Sequence, residues 1–417
     1  MTFFSILLIL ILLSINYYIY YKKITSKSLF IISSAFLILY SIITIAIYYN
    51  NINDGFVHGI LFGDVSGSYF CDEERYFFES RMLYEHFLNG DFINWITGKL
   101  PKYEYITGAD IPGFGYKNIF VIFLTFLRLL GIHNVINMIL VKLIIYIPTS
   151  IFLYKLANLY LDEKKSLVTV TIFSLLPGYI LTNTLLMRDN IILALLIIIF
   201  YYLLAKDFNI KKLLIPVVLL FILRGYLILI LPAVLIFCYK NSDKIINLKD
   251  FVFLLIISFT LLFFSNFKFE RDTILLLGFS SSQMSNLQNT LINNFGNNLS
   301  LVFNVFTQTI IHIIVDPIFP EFLRSGLLYL ILFSLGNIIG TIISIIFIFK
   351  FIYTCIFNKN TTIIYLLKFT SYFTLLSGIL VLCKDLFIIN RVALMWLPLF
   401  IIILLIPKSN FKKTTDL

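Results

Sequence analysis

The chain has 417 residues, a formal net charge of +10 and a mean hydropathy of +0.96, with 60% hydrophobic and only 13% charged residues. Soluble domains carry about 25% charged residues, so this composition excludes a soluble globular protein. Apolar runs of about 20 residues recur along the whole chain without strand-like alternation, which predicts an all-α, polytopic transmembrane helix bundle and excludes a single signal peptide as their explanation.

Eleven membrane-spanning helices are predicted where apolar runs lie between charged residues. Their ranges are 3–21, 29–49, 134–160, 167–185, 189–205, 212–223, 226–239, 250–266, 326–350, 362–383 and 389–406. They divide the chain into two N-terminal spans (1–49), a first outer loop (50–133), a central bundle (134–266), a second outer loop (267–325) and C-terminal spans with a short cytoplasmic tail (326–417).

Lysines predict the orientation, because cytoplasmic loops accumulate positive charge. Lysine clusters or single lysines follow the first, third, fifth, seventh, ninth and last spans. An N-terminus outside and a C-terminus in the cytoplasm place all of them on the inner side of a bacterial inner membrane. The region 212–239 is read as two short helices that meet near Arg224 at the outer face, because a single crossing there would invert everything downstream.

The first outer loop is predicted to contain an interfacial helix over Asp72–Leu88. One side of this helix would carry Tyr76, Ser80, Leu83, Tyr84, Phe87 and Leu88, and the other Glu74, Arg75, Arg81, Glu85 and His86. Two interrupted apolar runs, 118–131 and 299–315, are interpreted as interfacial or re-entrant pieces packed on the bundle. The four histidines and four cysteines show no metal-ligand spacing, so neither a metal nor a cofactor is predicted.

All eight arginines fall on the outer side of this topology, whereas the cytoplasmic loops are basic through lysine alone. The guanidinium fork suits carboxylates and phosphates, so the outer face is interpreted as an anion-handling surface. Pairing with outer carboxylates or lipid headgroups is the alternative reading. A charge near the end of a span is costly unless it is paired, so an arginine in that position is a candidate for binding a phosphate. Four arginines lie at span ends: Arg188, Arg224, Arg324 and Arg391.

The segment from Cys71-Asp72-Glu73-Glu74-Arg75-Tyr76 to Asn89-Gly90-Asp91 contains an Asp-Glu pair followed by a helix that ends in Gly-Asp. It resembles the first extracytoplasmic loop of GT-C membrane glycosyltransferases, especially their protein O-mannosyltransferase-like and aminoarabinose-transferase-like branch. The resemblance extends over residues 60–240 through Gly113-Phe114-Gly115-Tyr116, Ser174-Leu175-Leu176-Pro177 and Leu223-Arg224-Gly225-Tyr226.

This resemblance implies transfer of a sugar from a polyprenyl-phosphate-linked donor to a glycan or lipid-linked glycan outside the membrane. It implies Asp72 as the catalytic base, with Glu73 as the second choice, and Arg224 as the first choice for the donor phosphate, before Arg188, Arg391 and Arg324. Tyr76, Arg75 and Arg81 are the candidates for binding the acceptor. The expected partners are this lipid-linked donor and membrane lipids, and no nucleic acid.

Other readings of the same features remain open at the level of sequence. Asp72 is equally suited to capping a helix, and Arg188 to a local ion pair with Asp189. A polymerase of O-antigen or capsule repeat units, acting on polyprenyl-diphosphate-linked glycans, has a similar size and number of spans. A flippase of lipid-linked glycans is a third possibility, against which the scarcity of charge inside the spans argues.

Overall fold

The computed structural model describes residues 3–60, 72–90, 102–104, 110–112, 118–205, 210–224, 227, 230, 231, 234, 320–357, 360–384 and 393–407. The predicted span 250–266, the run 299–315 and nearly all of the second outer loop lie outside these residues. So do Arg391 and most of the predicted span 226–239.

The described chain is helical over most of its length. Its helices are α1 (Phe3–Tyr21), α2 (Lys27–Asn53), α3 (Asp72–Leu88), α4 (Ile119–Leu129), α5 (Val135–Lys142), α6 (Tyr146–Asn158), α7 (Glu163–Leu175), α8 (Pro177–Thr184), α9 (Asp189–Leu204), α10 (Ile210–Arg224), α11 (Leu328–Phe357), α12 (Thr361–Lys384) and α13 (Leu397–Leu405). Short 3₁₀ turns lie at Val57–Gly59, Leu143–Ile145 and Pro320–Arg324. The all-helical class is as predicted, and the one addition among the described residues is a short antiparallel pair between α3 and α4, formed by strands β1 (Lys102–Glu104) and β2 (Asp110–Pro112).

Side-chain caps explain where several helices begin. The side chain of Ser26 accepts a hydrogen bond from the Leu29 backbone N–H, and that of Asp162 accepts one from Lys165. Asn118 and Asn134 cap α4 and α5 by accepting from Phe120 and Ile136. The first N–H groups of a helix have no partner within it, so polar residues at these positions fix the helix starts.

Within the described residues, four helical segments are long and apolar enough to cross a membrane: Phe3–Tyr21, Lys27–Asn53, Val135–Asn158 and Leu328–Thr354. They coincide with the predicted spans 3–21, 29–49, 134–160 and 326–350. The chain is a helical membrane protein. Helices α9 and α13 lie within the predicted spans 189–205 and 389–406, while α10 and α12 cover the predicted spans 212–223 and 362–383. The total of eleven spans stays a prediction.

The predicted span 167–185 is broken rather than continuous. Helices α7 and α8 meet at an angle of 64°. Leu176, between them, has an extended backbone with φ −60° and ψ 123°. Pro177 causes the break, because its ring disfavours a helical backbone at the residue before it, while proline is well tolerated at the start of a new helix. The pair can therefore serve as one bent span.

The chain divides into two compact units, and each is described by itself. The first contains Met1–Phe152, Pro177–Ala194 and Pro320–Ser334, and the second contains Leu153–Leu176, Leu195–Phe319 and Leu335–Leu417. In the second unit, Phe200 packs edge-on against Phe369 and Phe373, and Phe347 stacks on Phe400 with ring centroids 3.7 Å apart.

Polar contacts join helices of the first unit near several of their ends. Ser5, at the start of α1, donates a 2.7 Å hydrogen bond to Asn137 near the start of α5. Asn50, near the end of α2, accepts a 2.8 Å hydrogen bond from the Leu328 N–H at the start of α11. At the other end of α1, the Asn16 side chain donates to the hydroxyls of Ser33 and Ser34 on α2.

Helix α3 has the predicted bounds and packs on α4. The Tyr76 ring lies edge-on against Phe120, with centroids 4.9 Å apart. Arg128 of α4 is buried and donates to Ser80 Oγ and to the Phe77 carbonyl, each at 3.1 Å, while its guanidinium lies over the Phe77 ring. Arg128 thus holds α3 and α4 together, and its donors are engaged by groups of the protein itself.

The predicted division of α3 into two faces is wrong at two positions. Glu74, assigned to the polar face, is only 2% exposed, whereas Leu88, assigned to the apolar face, is 64% exposed. The first half of the helix is buried nearly all round and the last turn is not, so burial changes along the helix axis. An amphipathic pattern describes only the variation around that axis.

Candidate functional site

The candidate site lies in the first unit, where the acidic first turn of α3 meets the segment that joins α8 to α9. Asp72, Glu73 and Glu74 occupy this first turn. Carboxylates are favoured there, because the positive end of the helix dipole and free backbone N–H groups stabilise negative charge. The three neighbouring acids nevertheless have different surroundings.

Asp72 is the accessible acid of the three. Its side chain is 34% exposed, and one carboxylate oxygen lies 3.6 Å from the Arg75 guanidinium, one turn further along the helix. A partly exposed ion pair of this kind restrains the side chain only weakly, and the exposure leaves the carboxylate accessible to a ligand.

Glu73 is turned into the protein. It is 3% exposed, and its Oε1 accepts a hydrogen bond from the backbone N–H of Leu186, which lies 113 residues further along the chain. The N–H groups that follow a helix C-terminus need an acceptor when they are buried, and a carboxylate is a strong one. Glu73 therefore ties α3 to the turn between α8 and α9.

Lys142 binds the same turn from the end of α5. It is fully buried, and its Nζ donates to the carbonyls of Thr182 at 2.9 Å and Met187 at 3.0 Å and also to that of Leu185. These carbonyls lie in and just after the last turn of α8, where backbone acceptors lack helical partners and a cation is favoured. The carboxylates of Glu73 and Asp189 also interact electrostatically with this ammonium.

The turn held in this way leads directly into Arg188 and Asp189. Arg188 is half-buried and Asp189 is buried at the start of α9. Burial raises the pKa of the Tyr76 hydroxyl on α3, while the positive charge of Arg188 acts in the opposite direction and the charges of Asp72 and Asp189 add to the rise. These interactions indicate that Arg188, Asp189 and the first turns of α3 form one electrostatic cluster.

Glu74 was predicted to lie on the polar face of α3, but its side chain is buried in the structure. Burial, followed by the negative charge of Glu73, raises the pKa of Glu74 to about 7. Its Oε2 has no hydrogen-bond partner among the described residues. A carboxyl in such surroundings exchanges its proton near neutral pH.

The other predicted site residues are dispersed. Arg81 forms an exposed ion pair with Glu85 one turn along α3, at 3.1 Å, and Arg324 is exposed in its 3₁₀ turn. Arg224 ends α10 in the second unit, and Arg391 lies outside the described residues. Tyr76 is buried against Phe120, so its ring packs within the protein. The first unit therefore brings together Asp72, Glu73, Arg75, Tyr76 and Arg188 from the predicted set.

Sequence reasoning missed the role of Lys142 and the burial of Glu74. Lys142 lies inside the apolar predicted span 134–160, and an ionisable residue in that setting is a functional candidate. Nothing in the sequence near Glu74 distinguishes it from an exposed acid such as Glu85. Within the described ranges, no three His, Cys, Asp or Glu side chains are grouped so as to hold a metal ion.

The fold and this cluster define a helical membrane protein with a buried, charged site beside its acidic α3 helix. No protein-family model, no curated protein and no solved structure matches the chain.

Proposed function

We propose that the protein is a GT-C-type glycosyltransferase that moves a sugar from a polyprenyl-phosphate-linked donor to an acceptor hydroxyl at the outer face of a bacterial inner membrane, in the synthesis of a surface polysaccharide. The observation that carries this proposal is the hydrogen bond from the Leu186 N–H to Glu73, because it holds the turn that leads to Arg188 against the start of α3, where the accessible carboxylate of Asp72 lies. A base and a cation are the groups that such a transfer requires.

The contacts between helix ends support the predicted orientation. Ser5 meets Asn137, Asn50 meets the start of α11, and Glu73 meets Leu186, and each contact joins segments that the lysine pattern assigns to the outer side. If α9 crosses the membrane, the chain between Leu204 and Leu328 must cross an odd number of times to return. Two short helices meeting near Arg224 and the predicted span 250–266 make three crossings and satisfy this condition, whereas a single helix over 212–239 and the same span make two and do not.

Asp72 is proposed as the base. The acceptor oxygen bonds to the anomeric carbon of the donor sugar while the bond from that carbon to the phosphate oxygen breaks. The bonding pair leaves with polyprenyl phosphate, and the acceptor proton passes to the Asp72 carboxylate. Glu73 is less suited to this role than the sequence suggested, because it is buried and already accepts a hydrogen bond.

Arg188 is proposed as the residue that stabilises the departing phosphate. It lies in the electrostatic cluster around the start of α3, and it is half-buried, so its charge is less screened by water than that of exposed Arg324. Arg224 remains a second candidate on the resemblance alone. Arg75, which pairs with Asp72, is proposed to support the acceptor side, whereas Tyr76 is buried against Phe120 and is less suited to this role than the sequence suggested.

The test is an Asp72→Asn variant of the full chain, assayed for glycan in cells and for sugar transfer in membranes. Asparagine is accepted at a helix start as well as aspartate is, so this change removes the base and should preserve the start of α3. We expect transfer to fall about 10²- to 10⁴-fold. Asp54→Asn, an exposed acid of the same outer loop, is the matched control and should have no effect. Full transfer by inserted Asp72→Asn protein would refute the mechanism.

The glycan of a deletion strain separates this proposal from the polymerase alternative. Loss or alteration of a single sugar is expected for the transferase. Surface glycan that stops after one repeat unit would instead identify a polymerase, and accumulation of finished lipid-linked glycan on the inner side would identify a flippase.

A further inference from the structure

Lys142 has no part in the proposed reaction, yet it is one of the most completely buried charged side chains of the described residues. An ammonium group has three protons to donate, and Lys142 makes three hydrogen bonds, to the carbonyls of Thr182, Leu185 and Met187. It would have to release one of these carbonyls in order to bind a phosphate. Its place in the site is therefore structural.

One peptide group joins Lys142 to Glu73. The carbonyl of Leu185 accepts from the Lys142 ammonium, and the N–H of Leu186, which belongs to the same peptide group, donates to the Glu73 carboxylate. The peptide dipole therefore lies between a cation at its oxygen and an anion at its N–H, and both charge-assisted hydrogen bonds favour the same orientation. The pair acts as an ion pair bridged by the main chain.

We propose that Lys142 is the positioning residue for Arg188. With Glu73, it fixes the backbone from Leu185 to Met187. Arg188 follows this anchored segment directly and is thereby held near the first turn of α3. The role assigned to Arg188 rests on the proposed function, but the anchoring of the turn does not.

The Lys142→Met variant tests this role, because methionine keeps the length of the side chain and removes its charge. Three carbonyls and the Glu73 carboxylate then lose their cation, and the turn that carries Arg188 loosens. We expect kcat/KM for the lipid-linked donor to fall by about 100-fold, the effect of misplacing a functional group by about 1 Å. Lys142→Arg, which retains the charge, should recover part of this loss. Lys165→Met, an exposed lysine paired with Asp162, is the matched control.

Hydrogen exchange of the purified full chain in lipid nanodiscs measures anchoring without any assay of activity. Peptides covering Leu185 to Asp189 should exchange faster in Lys142→Met and in Glu73→Gln than in the parent, and the Lys165→Met control should not change them. Because both residues bind one peptide group, the double variant should lower Tm by less than the sum of the two single changes.

The outcomes separate the two proposals. Unchanged exchange over Leu185 to Asp189 in the Lys142→Met variant, or additive losses in Tm, would overturn the positioning role whatever the reaction. Faster exchange and coupled losses, together with a fully active Asp72→Asn variant, would support the anchoring of the turn and refute the glycosyltransferase mechanism.

Discussion

Asn50 binds the backbone at the start of the helix that begins at Leu328, through both the oxygen and the nitrogen of its side-chain amide. Its oxygen accepts from the Leu328 N–H at 2.8 Å, and its nitrogen donates to the Gly326 carbonyl at 3.4 Å. An asparagine at the end of one membrane helix therefore caps another helix 278 residues later. The two helix ends must lie on the same side of the membrane.

Together with the lysine pattern, this contact predicts which single cysteines react with an impermeant maleimide in intact cells. In the full chain with its native cysteines replaced, cysteine at Asp54, Asn89 or Ser325 should be labelled from outside, and so should cysteine at Arg224. Lys165→Cys should be labelled only after the cells are permeabilised. External labelling of the cysteine at position 165 would show that the topology is the reverse of the predicted one. Protection of the cysteine at position 224 would contradict the predicted outer hairpin.

The buried Glu74 predicts an unusual dependence of stability on pH. Its pKa is raised to about 7 in the folded chain, against 4.5 in an unfolded one. Between these values the folded chain holds a proton that the unfolded chain has released, so the free energy of unfolding falls as the pH rises, and the loss is complete above about pH 7. Glu74→Gln should therefore stabilise the protein little at pH 4.5 and by about 2–3 kcal/mol at pH 8.

Thermal unfolding in detergent at several pH values measures this difference. Glu85→Gln is the control, because Glu85 lies on the same helix in an exposed ion pair. A Glu74→Gln effect that does not change between pH 4.5 and pH 8 would show that the carboxyl does not titrate in this range.

Arg128 is predicted to contribute to stability more than any exposed arginine of the loop. Arg128→Met removes two charge-assisted hydrogen bonds, to the Phe77 carbonyl and to the Ser80 hydroxyl, and should lower the free energy of unfolding by about 2–3 kcal/mol. Arg81→Met removes only an exposed ion pair and should cost less than about 1 kcal/mol. Equal losses of Tm for the two variants would contradict the structural role of Arg128.

Gly59 is predicted to tolerate no side chain. Its φ is +69°, and a Cβ atom there would lie 2.3 Å from Cδ2 of Tyr48. Gly59→Ala should therefore lower Tm more than Gly55→Ala, because Gly55 has φ +92° but open space around it, which leaves only backbone strain of about 1–2 kcal/mol. In a Tyr48→Ala background, Gly59→Ala should lower Tm no more than Gly55→Ala does, and a persistent difference would mean that the ring is not the obstacle.

Local patterns predicted much of the fold. Helix α3 begins and ends at the predicted residues, Asp72 and Leu88, and the long apolar runs became helices at the expected places. Such features depend on residues close in sequence, which propensity, capping and composition describe well. The bend at Pro177 has an equally local cause, but proline permits both a kinked span and a new helix, so the sequence did not decide between them.

The candidate site was predictable only in part. The Asp-Glu pair and Arg188 were identified as candidates separately, but their association depends on a hydrogen bond between Glu73 and the main chain at Leu186. A backbone donor has no signature in sequence, because every residue except proline provides one. Arg128 and Arg188 were also indistinguishable in sequence, since both were predicted to lie on the outer side. Only the packing shows that Arg128 is buried and bonded between two helices, whereas Arg188 is half-buried.

The bridging peptide group has a consequence for how distant relatives of this chain are to be recognised. Because Lys142 and Glu73 bind main-chain atoms, the side chains of Leu185 and Leu186 are free to be exchanged for others of similar size without loss of the bridge. Among relatives, we therefore expect Lys142 and Glu73 to be retained although they lie far apart in the chain. The residues of the segment between α8 and α9, which these two side chains bind, should vary more. A lysine inside an apolar helix, inherited together with an acid at the start of an outer-loop helix, is the signature to look for.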